Sequence, residues 1–382
     1  MEEGKGLGIS IFFQDLADPR VDRTKRHQLL DIVVIAVAAT VCGADNWVDI
    51  AEWGRVREEW LRTFLELPNG IPAHDTFGRV FARLDGDAFV ECFMNWTQAL
   101  QEATGGQVIA VDGKTLRRSY DRAAGKNAVH VVSAWGASNG LVLGQVKTED
   151  KSNEITAIPA LLKLLDLQDC TVTIDAMGCQ TKIAQQIVNQ GGDYVLAVKD
   201  NQPKLHEQVR DALAFAEESG FRNVASDTYE VLEKGHGRVE KRRYTVVTEA
   251  WYLRHIDWDE RWPKLGLIGK VESERRIGEQ VSRETRYYIS SLTGDARAFG
   301  RAVRQHWGVE NQCHWVLDVV FDEDNSRARV GNSAQNLAVL RRLALNLLRN
   351  EKTSKRSLNG KRLLAGWDPA YLQRVLLVPA AI

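Results

Sequence analysis

The sequence predicts an α/β protein: a mixed sheet with helices on both faces, carrying a β-rich insertion and preceded by an N-terminal helical domain. Three features of the 382-residue chain predict this. Strand-like and helix-like runs alternate between residues 108 and 218 in the order β-β-β-α-β-α-β-α. Residues 227–291 alternate polar and apolar side chains around KGHGR, the period of half-buried strands. Residues 1–105 read as helical. We therefore expect a helical accessory domain over 1–105, an α/β domain over 106–350 with its insertion at about 227–291, and a tail over 351–382 that is basic and then apolar.

The helical part opens on Ile32–Ala44, 13 residues without a charge, flanked by Asp31 and Asp45. A spanning helix needs ~20 such residues, so this run predicts a buried core helix. Trp47, Trp53 and Trp60 recur about every two turns, a spacing that suits core packing. Pro68, Gly70 and Pro72 break the pattern, after which Asp75 or Thr76 can cap a short helix bearing Arg79 and Arg83. Such a helix pair could enter a DNA groove, and it reads equally as part of a plain bundle. The texture changes at ATGGQ, Ala103–Gln107. Strands are expected at Val108–Asp112, Val129–Trp135 and Leu141–Lys147, the last two joined as a hairpin through GASNG. A helix over Ile155–Leu167, a strand over Thr171–Asp175, a helix over Thr181–Asn189 and a strand over Tyr194–Val198 follow. Pro203 opens a helix that runs to Glu218 and that Asp200 or Asn201 would cap. Beyond the insertion, one long helix is expected from Arg297 to about Val320 and another from Ala334 to about Asn350.

Composition narrows the class. Apolar residues make up 44% and charged residues 26%, as in ordinary globular chains. Five cysteines, with no CxxC pair, argue against a disulfide framework or a zinc knuckle and suit a reducing compartment. The first residues lack the basic and apolar regions of a signal peptide, so a cytoplasmic location is expected. Fifty bases against 51 acids give a net charge of −1, which counts weakly against a nucleic-acid partner. Local charge argues the other way. Five bases lie between Gly113 and Lys126, five between Lys234 and Arg243, and eight between Arg341 and Arg362, each run holding a single acid. Each alone reads as a solvated face; three together suggest phosphate contacts.

Two strand-like runs end alike. VIAVDGKTLRRS (Val108–Ser119) carries Asp112, and CTVTIDAMGCQTK (Cys170–Lys182) carries Asp175. A carboxylate beside a core is costly unless paired or metal-bound, and two side by side repel each other. Mg²⁺ relieves both problems because it takes hard oxygen ligands. A third acid is needed from a later helix. RAVRQHWGVENQCHWVLDVVFDED places His306, Glu310, His314 and Asp318 four residues apart on one face. Glu310 is the choice, with Trp307 and Trp315 expected to anchor its helix. Asp318 lies ~12 Å further along the axis and could orient a neighbouring base, whereas Asp322, Glu323 and Asp324 are expected to cap or leave the helix. Three carboxylates could hold two ions ~4 Å apart at a phosphodiester. Separately, each residue has a plain reading as a cap or a solvated side chain; the combination carries the weight. A phosphatase reading of DGKTL fails, since the aspartyl nucleophile it requires is replaced by Ala110.

At these residues the chain resembles the H-repeat-associated insertion-sequence transposases, within the DDE superfamily of ribonuclease H-like recombinases. The matching stretches are GIPAHDTFGRVFARLD, IAVDGKTLRRS, VTIDAMGCQTKIAQQIVNQGGDYVLAVKDNQP, HGRVEKRR and HWGVENQCHWVLDVVFDED, within a similarity spanning about residues 10–350. The resemblance implies a ribonuclease H-like sheet with Asp112, Asp175 and Glu310 as catalytic residues holding two Mg²⁺ (or Mn²⁺) ions. It implies hydrolysis at the ends of a mobile element and transfer of the 3′-hydroxyl ends into target DNA. The partners would be double-stranded DNA, as terminal inverted repeats and as target, with a dimer on DNA in the bacterial cytoplasm at the nucleoid. Gly113 would let the backbone turn closely, and Lys114, Arg117 and Arg118 would meet phosphates. His236, Arg238, Arg242 and Arg243 would clamp the element end, with Arg242 and Arg243 exposed; Lys199, Arg304 and His306 complete the expected DNA contacts. A nuclease without strand transfer and an inactive DNA-binding remnant are the alternatives.

Overall fold

A computed structural model of the chain describes residues 8–100, 107–121, 125–148, 154–235 and 237–377. His236 and Arg122 lie outside the described residues, as does the expected boundary at 105. Five helices come first: α1 (Leu29–Val41), α2 (Trp47–Val56), α3 (Glu58–Leu61), α4 (His74–Arg83) and α5 (Gly86–Leu100). The uncharged run of α1 is buried almost throughout, and among the described residues no helix is long and apolar enough to cross a membrane. Trp47 stacks on Phe81 at 5.0 Å, and Trp53 meets Trp60 edge-on at 6.5 Å. Helix α4 starts from Ala73, without a side-chain cap. Asp75 therefore sits inside the first turn, where its charge favours the helix N-terminus, rather than at the cap.

The expected order of strands and helices follows. It comprises β1 (Val108–Thr115), β2 (His130–Gly136), β3 (Leu141–Thr148), α6 (Glu154–Lys163), β4 (Thr171–Ile174), α7 (Thr181–Asn189), β5 (Asp193–Val198) and α8 (Pro203–Glu218). Helix α8 also lacks a side-chain cap, its N-cap position being Gln202, and Asn201 donates its amide to the Ala176 carbonyl. The expected insertion is a meander of β6 (Ser226–Gly235), β7 (Arg238–Val247), β8 (Leu267–Ile277) and β9 (Gln280–Ser290), with α9 (Ala250–Ile256) between β7 and β8. It extends the main sheet, because β9 pairs antiparallel with β5. The nine strands run β3-β2-β1-β4-β5-β9-β8-β7-β6.

Next come α10 (Ala296–Gly308), a π-helical turn (Val309–His314), α11 (Trp315–Val319) and α12 (Ser333–Asn350), then α13 (Leu358–Trp367) and α14 (Pro369–Leu376). Helix α10 covers one face of the sheet, with Phe299 and Val303 packed among Val195, Tyr244, Val271 and Tyr288. Helix α6 covers the other, where Leu161 shares space with Met94 of α5 over Gly144. Helix α12 is buried along most of its length. Its Asn346 accepts from the Val142 nitrogen at 2.9 Å and donates to the Val142 oxygen at 2.8 Å, which satisfies both groups of that residue on edge strand β3. Apolar residues of α1, α5, β1, β2 and α12 belong to one continuous core.

The third basic run is interior in half of its bases, which corrects their reading as part of a phosphate-binding face; Lys352, Lys355 and Arg356 between them are exposed. Arg341, Arg342, Lys361 and Arg362 are all buried. Arg362 bonds Asp45 Oδ1 at 2.9 Å and the Thr40 carbonyl at 3.1 Å, and Lys361 donates to the Leu348 carbonyl at 2.9 Å. These bases pay for their burial by closing helix ends and loops of the helical part.

Candidate active site

Strands β1 and β4 are parallel neighbours, and their ladder ends on the pair Val111–Ile174. Asp112 and Asp175 are the next residues of each strand, so adjacency follows from the register. β1 itself continues to Thr115 against β2. Asp112 therefore closes the parallel ladder rather than the strand. Gly113 is not a turn residue: a Cβ there would lie 2.4 Å from Glu154 Oε1 and 2.5 Å from His130 Nε2. It is glycine because a buried pair, His130 and Glu154 at 2.6 Å, packs against it.

Burial, then the charge of Asp175, pushes the Asp112 carboxyl up to about 7, with Glu310 and Glu154 adding to the rise. Burial and Glu154 also raise Asp175, against a backbone bond from Met177 at 3.0 Å. The carboxylates of Asp112, Asp175, Glu310 and Glu154 thus act on one another electrostatically. Sequence reasoning misses Glu154, which opens α6 and looks like an ordinary first-turn acid.

The expected continuous helix after the meander is interrupted at Glu310. In the π turn the Trp315 amide reaches back five residues to the Glu310 carbonyl; such turns recur at functional sites. Glu310 is exposed, while His314 Nδ1 stands 3.5 Å from Asp112 Oδ2. Burial lowers His314 to about 3 and His306 to about 4, so both rings are neutral near pH 7. His306 meets Thr173 Oγ1 at 2.9 Å and lines a small pocket with Asp175 and Lys199. Trp307 lies under Arg286, 4.6 Å from its guanidinium. Trp315 is 58% exposed and does not anchor the helix; Val309, Cys313, Val316 and Leu317 do.

The expected DNA contacts divide. Arg117 and Arg118 are exposed beyond β1, Arg117 with Asp324 at 3.2 Å. Lys199 is exposed at the end of β5. Lys114 is a correction: it is buried, its ammonium held by Asp318, Glu323 and Asp324, and it faces no solvent phosphate. On β7, alternation sends Arg238 and Arg242 to one face, into a groove of about 870 Å³ that Arg304 also lines. Arg242 is not exposed as expected, but half-buried between Glu233 and Glu240. Arg243 is absent from the groove lining and lies 3.8 Å from Glu230. The groove adds Arg275, Arg283 and Arg286, which sequence reasoning missed although they recur along the alternating meander. Its lining holds six arginines and two glutamates. Arg286 and Trp307 belong both to the groove and to the Asp175 pocket, so the groove leads to Asp175.

Among the described residues, no three acidic, histidine or cysteine side chains are gathered closely enough to hold a metal ion as they stand. The donor set nonetheless fits Mg²⁺: hard oxygens whose mutual repulsion a divalent cation relieves.

Comparison with known proteins identifies the family. Residues 11–97 match a family model described as DDE_Tnp_1-associated, and residues 103–347 match the model of the transposase DDE domain. The chain is 44% identical over 366 residues to "Putative transposase YncI" of Escherichia coli O157:H7, covering 94% of this chain and 92% of that protein. It is 41% identical over 354 residues to "H repeat-associated putative transposase YhhI" of Escherichia coli (strain K12), covering 92% of each. With two aspartates on adjacent strands, a glutamate on the helix that follows the meander and relatives of nearly full length, the chain belongs to the DDE transposase family, whose catalytic domain is ribonuclease H-like.

Proposed function

We propose that this transposase hydrolyses phosphodiesters at the ends of an insertion sequence and joins the freed 3′-hydroxyl ends to target DNA, using Asp112, Asp175 and Glu310. The adjacency of Asp112 and Asp175 at the end of one parallel ladder, beside the Glu310 turn, carries this reading. The three carboxylates would hold two Mg²⁺ or Mn²⁺ ions, which when bound supply an activated attacking oxygen and stabilise the leaving one. His314, neutral beside Asp112, steadies that carboxylate without adding charge. Double-stranded DNA would run along the arginine groove, with Arg286 at its junction with the Asp175 pocket, and Lys199, Arg117 and Arg118 would meet phosphates near the aspartates. The helices of residues 1–105 would act as the accessory domain for end recognition, and a dimer would bring two ends together.

Strand transfer tests this reading. Pre-cut element ends incubated with the protein, Mg²⁺ and a target plasmid are expected to yield joined products. Cleavage of intact ends without joining would replace the proposal with a nuclease; binding without either reaction would mark an inactive remnant.

A further inference from the structure

Lys114 has a role that its neighbourhood defines. Asp112 and Lys114 are two residues apart on β1, so their side chains leave the same face, ~6.6 Å apart along the strand. The helical segment opposite offers His314 and Asp318, one turn and ~6 Å apart along the axis. The spacings match, and the pairs form in order: Asp112 with His314 at 3.5 Å, and Lys114 with Asp318. The second rung continues inward. Lys114 Nζ lies 3.1 Å from Glu323 Oε2, and Glu323 Oε1 lies 3.0 Å from Arg342 Nη1 on α12. Asp322 adopts a left-handed conformation, φ 49°, as the chain turns Glu323 into the core. A buried ammonium so enclosed is out of reach of DNA and at hydrogen-bond distance from the segment that carries Glu310.

We propose that Lys114 is a positioning residue. Its ammonium holds the Glu310 segment in register on the Asp112 strand and so fixes the spacing of those two carboxylates. The inference deepens the metal-site reading above and rests on it for its functional consequence.

The test uses the full chain and two readouts, Mn²⁺ affinity by titration and backbone hydrogen exchange. Lys114→Met is expected to weaken Mn²⁺ binding about tenfold or more, as loss of a group supporting metal ligands does, and to speed exchange selectively in residues 309–319. Glu351→Ala, which removes a carboxylate bonded to Thr353 and Tyr371, should lower thermal stability while leaving both readouts unchanged. Asp318→Asn, which weakens one partner of the same rung, should shift both in the direction of Lys114→Met and serves where that variant does not fold. Asp112→Asn reports on the metal reading: if it binds Mn²⁺ like the wild type, that reading fails, while the exchange comparison still decides the role of Lys114. Unchanged exchange over 309–319 in Lys114→Met and Asp318→Asn would overturn the inference.

Discussion

Glu310→Gln is expected to abolish cleavage of element-end DNA, by about a thousandfold or more, on the order of 4 kcal/mol of barrier, while DNA binding survives. Its carboxylate is exposed in the π turn beside Asp112, whose proton affinity its charge raises. Removing it should take away a ligand without disturbing the core, because Val309 and Cys313 hold the turn in place. Asp318→Asn is expected to keep measurable activity. Asp318 spends its charge on Lys114, which retains Glu323 and Asp324 when Asp318 is neutralised. Both variants should be assayed on one end substrate in Mg²⁺, with binding followed by anisotropy. A dead Asp318→Asn beside an active Glu310→Gln would mean that the third acid lies two turns further along.

The largest stability effect is expected from Glu323→Ala, a loss of about 3–5 kcal/mol. Burial opposes the charge of Glu323, but Arg342 and then Lys114 outweigh it and hold the carboxyl down to about 2. Alanine leaves Arg342 buried with its charge unbalanced and removes the inner link from β1 to α12. The native contribution of Glu323 is present above the ordinary glutamate value of 4.5 and is lost as pH falls toward 2. The difference between variant and wild type in urea unfolding should therefore be full at pH 7 and shrink below about 4.5. Asp324→Asn, at a side chain 23% exposed, should cost under ~1 kcal/mol. A loss below ~1 kcal/mol for Glu323→Ala would show that the buried network contributes little.

What was legible in the sequence follows from how each feature is encoded. The strand and helix order between 108 and 218 is written locally, in apolar runs and turn residues, and the structure reproduces it. Adjacency of Asp112 and Asp175 followed from that order once the sheet type was named. Buried charge was not legible. Lys114, Glu323 and Arg342 look like surface residues because their partners lie up to 210 positions away. The same holds for Arg341, Lys361 and Arg362, the buried ends of a basic run whose middle bases, Lys352, Lys355 and Arg356, are exposed. Gly113 reads as a close backbone turn, since nothing near it announces the His130–Glu154 pair behind it. The π turn at Glu310 shifts the helical register by one residue within a single turn, a phase change that the short run after it, only Trp315–Val319, is too brief to display. Arg275, Arg283 and Arg286 were visible as letters, but the face each takes depends on the pairing of β8 with β9.

If acidic side chains at the end of one ladder do metal-dependent chemistry on DNA, cleavage of element-end DNA must follow the divalent cation supplied. Cutting is expected in Mg²⁺ or Mn²⁺, binding without turnover in Ca²⁺, and no product in excess EDTA. Because a cation and a proton compete for Asp112, the Mg²⁺ concentration at half-saturation should fall as pH rises through about 7. Full cleavage in excess EDTA would mean that these carboxylates cut DNA without a metal.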